Sequence, residues 1–116
     1  MLCVQLYTSE NAHGALNTVA VSFTKIANDL RLLASGPSAG IAEITLPSVQ
    51  PGSSIMPGKV NPSMLECMNQ VLFHIIGADT AIAYASQAGQ LELNVMMPLM
   101  AFEITFSMEI LTNFLP

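Results

Sequence analysis

Lys59 and Asn61 stand two residues apart at the end of PGSSIMPGKVNP, residues 51–62, a stretch that also carries the adjacent serines Ser53 and Ser54. Lys59 is the only Lys or Arg after Arg31. A helix start offers unpaired N–H groups and the positive end of the helix dipole, so a lysine beside it strengthens a site for an anion. Asn61 adds neutral donors, and the pair could clamp a carboxylate. The same two residues also fit a solvated lysine in a polar loop with Asn61 as a helix cap.

Ser53 and Ser54 follow Gly52, where backbone amides can approach a ligand closely. A serine there can act as a nucleophile, or as a base if amides and a nearby cation stabilise its alkoxide. No His/Asp partner stands at a recognisable triad spacing, and a flexible polar linker explains Gly-Ser-Ser equally well. Glu66 completes an S-x-x-E capping box with Ser63, which accounts for it without any function. His13 and His74 have no second metal-type residue at a useful spacing, so they read as surface or internally satisfied histidines and no metal is expected.

These residues must be positioned by helices. Leu16, Val19, Phe23, Ile26, Leu30 and Leu33 recur at alternating steps of three and four, one stripe of a first helix that stops at Ser35-Gly36-Pro37. A second helix begins at Asn61-Pro62-Ser63, carries Leu65, Met68, Leu72 and Ile75 along one face, and runs to about Ala85. After a break near Gly89, a third helix presents Val95, Leu99, Phe102 and Phe106, with Pro98 kinking it or marking its first turn. Residues 36–62 hold four of the seven glycines and five of the seven prolines. Connections longer than about 12–15 residues in a compact domain are usually functional or disordered. The expected fold class is all-α, a single domain at most over residues 1–116.

Composition narrows the partners. The chain of 116 residues is 52% hydrophobic but only 9% charged, against roughly 25% charged in soluble domains. Apolar faces should therefore continue into other chains, and Met64, Met68, Met96, Met97, Met100 and Met108 suit adaptable packing. A membrane span is not expected, because acidic residues interrupt the apolar run from residue 71 onward and a spanning helix needs about 18 uninterrupted residues. A formal net charge of −5 with three Lys or Arg disfavours a nucleic-acid surface. Cys3 and Cys67 lack metal or redox spacing and the start lacks a basic, cleavable leader, so a cytoplasmic location is expected.

The run GSSIMPGKVNP, residues 52–62, resembles over its whole length the signature loop of the aspartase/fumarase superfamily, whose members cleave C–N or C–O bonds and release fumarate. KIANDLRLLASGP at 25–37 and AGQLELNV at 88–95 extend the similarity. MNQV at 68–71, AGQLELNVM at 88–96 and ILTN at 110–113 lean towards aspartate ammonia-lyases rather than class II fumarases.

The resemblance implies an anti elimination from an L-aspartate or L-malate type substrate, without a cofactor. It makes Ser53 the base that removes the Cβ proton and gives Lys59 and Asn61 the carboxylate that becomes dianionic. Ser54 supports the loop, and Glu66 matches a glutamate that pairs with a histidine of another segment. It further implies a homotetramer whose sites combine three segments from three subunits. Only the last segment has a counterpart here, so the chain is expected to be a fragment of the long central helical bundle, inactive alone, with residues 36–62 as its signature-loop region. An inactive helical oligomerisation piece is the rival from another class. Two positions depart from the family pattern: Ser38 stands where arginine usually follows SGP, and Gln87 where aspartases have glutamate before AGQ.

Overall fold

The computed structural model describes residues 2–50, 52, 55–56 and 60–115, with side chains from Tyr7 onward. Three helices form, α1 (Leu2–Leu33), α2 (Ser63–Gln87) and α3 (Met97–Phe114), and no strand is present among the described residues. α1 begins well before the Leu16 stripe. Its N-terminal half carries no clear apolar periodicity, but it has no proline, and the helix runs through Gly14.

α2 is the central element and packs against both α1 and α3, which scarcely meet. The assembly is a rod of 61 × 24 × 23 Å with a radius of gyration of 18.9 Å, where a globule of the same length would have ~13 Å. One core cluster joins Ala20 of α1, Leu72 and Ile75 of α2 and Leu111 of α3, flanked by Leu16, Phe23 and Met68. A second joins Ile82 and Ala85 to Met100 and Ile104. On α1 the buried apolar positions are the small Ala20 and Ala27, which let α2 approach closely, while Val19 and Ile26 of the expected stripe remain exposed.

α3 corrects the sequence reading. Its buried face is Met100, Ser107 and Leu111, whereas Val95 precedes the helix and Leu99 and Phe102 are exposed. Both faces of α3 are apolar, so periodicity selects neither. Ser107 anchors the choice: its Oγ lies 3.2 Å from His13 Nε2. His13 Nδ1 lies 3.0 Å from Asp79 Oδ1, and Asn17 Nδ2 donates to Asp79 Oδ2 at 2.8 Å. Because an ionised carboxylate only accepts, the Nδ1 proton is donated to Asp79. One buried histidine thus ties together all three helices, the second of the two roles, surface or internally satisfied, left open for it.

The long connection is anchored to the end of α1. Ala42 N–H donates to Ser35 O at 2.7 Å and Glu43 N–H to Leu33 O at 3.0 Å. The reversal needs Gly36, at φ +145°, and Gly40, where a Cβ would lie 2.2 Å from the Ser35 carbonyl. Between α2 and α3, Asn94 closes the turn by donating to Ala85 O at 2.9 Å and accepting from Met96 N–H at 2.8 Å. Pro98 occupies the first turn of α3, where its missing N–H costs nothing. No helix among the described residues is long and apolar enough to cross a membrane.

Candidate functional site

The end of α1, the anchored part of the loop and the start of α2 enclose an open cavity of about 700 Å³. Asn28 and Arg31 line it from α1, Thr45 and Pro47 from the loop, and Asn61 and Glu66 from the entry and first turn of α2. Asn61 and Glu66 are therefore brought together on one cavity. Ser53, Ser54 and Lys59 lie outside the described residues; Val60 and Asn61, just before Pro62, line this cavity.

The start of α2 differs from the expected capping box. Pro62 is the N-cap residue and no side chain caps the helix. In a box, Ser63 N–H would be taken by Glu66 and Glu66 N–H by Ser63 Oγ. Instead Ser63 N–H donates to Asn61 O at 2.8 Å, and Glu66 N–H to Pro62 O at 3.0 Å. Ser63 Oγ also turns to Asn61 O, at 3.2 Å. Backbone carbonyls before the helix have taken both donors, which leaves the Glu66 carboxylate free of the cap. It faces Arg31, whose Nη2 lies 3.5 Å from Oε1.

Arg31 is held in turn. Its Nη1 is 3.5 Å from Asn28 Oδ1, and Asn28 Oδ1 accepts a 2.9 Å bond from Nδ2 of the buried Asn69. Arg31 Nε is buried without a hydrogen-bond partner among the described residues. Sequence reasoning passed over Asn28, Arg31 and Asn69 as site residues. The available signal was local: Asn28 and Arg31 are three apart on one helix and share a face. Their contact with Glu66 crosses to another helix, which spacing cannot show.

The arrangement combines a carboxylate, a guanidinium and carboxamides on an open cavity at a helix start, a setting for a small polar anion. His74 lies elsewhere, with Nε2 3.7 Å from Glu103 Oε2 and its ring edge-on to Phe106. No group of three or more potential metal ligands occurs among the described residues. The two departures from the signature pattern, Ser38 and Gln87, are both exposed.

Comparison with known proteins places this geometry in context. A family model described as lyase matches residues 9–77. The chain is 57% identical over 107 residues to aspartate ammonia-lyase of Bacillus subtilis (strain 168), covering 92% of this chain and 22% of that protein. It is 58% identical over 102 residues to class II fumarate hydratase of Mycobacterium tuberculosis (strain H37Rv), covering 88% and 22%. Among solved structures, a fumarate lyase:delta crystallin from Brucella melitensis superposes with a TM-score of 0.85 at 51% identity, covering 91% of this chain and 25% of that one. Class II fumarase from Schistosoma mansoni gives 0.85 at 44% identity, covering 88% and 21%. The chain thus spans about a fifth of the length of the curated relatives it matches. The helical fold is that of the fumarate lyase bundle, and the chain belongs to the lyase family.

Proposed function

We propose that this chain supplies the signature-loop segment of an aspartate ammonia-lyase, a cytoplasmic homotetramer, and forms a single partial domain of its central bundle with residues 36–62 as the loop region. In the reaction, a Ser53 alkoxide removes the Cβ proton of L-aspartate, and the electron pair is held on the adjacent carboxylate as a dianion. Collapse of that dianion forms the C=C bond as the C–N bond breaks, releasing ammonia and fumarate. Lys59 and Asn61 bind the carboxylate on which charge grows, so they stabilise the transition state more than the ground state. Ser54 supports the loop, Glu66 pairs with a histidine from another segment, and no cofactor takes part. Loop closure excludes water.

The observation that carries this reading is the shared cavity of Asn61 and Glu66, two of the assigned residues, at the point where the loop returns to α2. A class II fumarase segment acting on L-malate is the second reading, favoured by 58% identity to such an enzyme against 57% to the ammonia-lyase. The isolated chain is expected to be inactive, because the remaining site segments come from elsewhere.

The test is a chimera in which this chain replaces its matched segment in the Bacillus subtilis enzyme, assayed for fumarate by ultraviolet absorbance with L-aspartate and L-malate separately. Turnover of aspartate, lost by a factor of roughly 10³ or more in Ser53→Ala, is the expected result. Turnover of malate alone selects the second reading. A folded chimera silent with both substrates overturns the enzymatic reading and favours an inactive oligomerisation piece.

A further inference from the structure

We infer that Arg31 is a positioning residue for Glu66, held in place by an Asn69–Asn28 relay; this rests on the role proposed above for Glu66. Asn69 is buried on α2 and donates its Nδ2 to Asn28 Oδ1 at 2.9 Å. That fixes the Asn28 carboxamide with its oxygen towards Arg31 Nη1, 3.5 Å away. The opposite prong of the same guanidinium, Nη2, stands 3.5 Å from Glu66 Oε1. Buried core geometry is thereby transmitted, through one planar fork, to a carboxylate that borders the cavity.

Stability does not account for this arrangement. The Arg31 and Glu66 side chains are 39% and 41% exposed, and an ion pair so open to solvent adds little to folding. Nor does helix capping, since backbone carbonyls have already taken the donors that Glu66 and Ser63 would have served. What the relay determines is where the Glu66 carboxylate points. One of its oxygens faces Arg31 while the group lines the cavity, as a partner for a catalytic imidazole must. Arginine is required because two prongs act at once, on Asn28 and on Glu66. A lysine ammonium is a single point on a flexible stem and cannot set the angle between them.

The experiment uses the active chimera described above, with steady-state kinetics, chemical rescue and thermal melting. Arg31→Ala is expected to lower kcat roughly 10- to 100-fold, the scale of a misplacement near 1 Å, with KM changed less than about threefold and the melting midpoint preserved. Guanidinium ion at millimolar concentration should restore part of the lost kcat in Arg31→Ala but not in Glu66→Gln. Arg31→Lys should remain defective. Asn69→Leu serves as the second variant, removing the donor to Asn28 without burying a charge, and should lower kcat in the same direction. Unchanged kcat in Arg31→Ala, or a loss that tracks melting and resists guanidinium, overturns the inference. Glu66→Gln separates the two layers. If it retains full kcat, the role of Glu66 fails and the inference with it; if it loses kcat while Arg31→Ala does not, only the positioning role of Arg31 fails.

Discussion

At the scale of single residues, Lys59 and Asn61 show how far residue type can carry an argument. A cation and a carboxamide just before a helix in the sequence are the residue types an anion site uses, yet a solvated lysine and a simple cap fit the same spacing. Kinetics separates the two. In the active chimera, Lys59→Met should lower kcat/KM by roughly 10²–10³, the cost of removing a preorganised charge-stabilising donor, with kcat falling as well as KM rising. A solvated lysine would leave both constants within about twofold. Glu66 was less legible, because the local S-x-x-E pattern explained it completely. The structure withdraws that explanation by giving Ser63 N–H and Glu66 N–H to backbone carbonyls. The Arg31 contact that replaces it is set by helix packing, 35 positions away in the chain.

At the scale of elements, apolar periodicity located three helices but not all their faces. It served α2 well, since Leu72 and Ile75 are buried and Met68 packs beside them. It misdirected α3, where apolar residues surround the helix and a buried serine marks the inward face. The start of α2 offers a sharp check. Substitution of a true N-cap serine by alanine costs ~1 kcal/mol, whereas Ser63 lies inside the helix and its hydroxyl turns to Asn61 O. Ser63→Ala should therefore change the hydrogen-exchange protection of the first turn of α2 by less than about 0.5 kcal/mol, the scale of surface substitutions without a special role. A loss near 1 kcal/mol would reinstate the serine as a cap. The loop 36–62 was legible as a non-helical connection from its glycines and prolines. Its attachment to the end of α1 through Ala42 and Glu43 was not, because backbone hydrogen bonds leave no mark on residue type.

At the scale of the whole molecule, low charge correctly anticipates exposed apolar surface: Val21 on α1, Phe73 and Tyr84 on α2 and Phe102 on α3 all face outward in the rod. What composition could not anticipate is the polar joint inside it. His13 is fully buried and joins α1 to Asp79 of α2 and Ser107 of α3, although α1 and α3 otherwise scarcely touch. Replacing His13 by leucine keeps an apolar bulk there but strands the buried Ser107 hydroxyl and removes one partner of Asp79. An unsatisfied buried polar group costs ~1–3 kcal/mol, while removing both partners of a bond costs much less. His13→Leu should accordingly lower the urea midpoint of the chimera, measured at fixed protein concentration. Adding Ser107→Ala should recover part of that loss rather than deepen it. The recovery follows from the contact at Nε2, so strictly additive losses would show that the histidine acts by filling space and not by joining the helices.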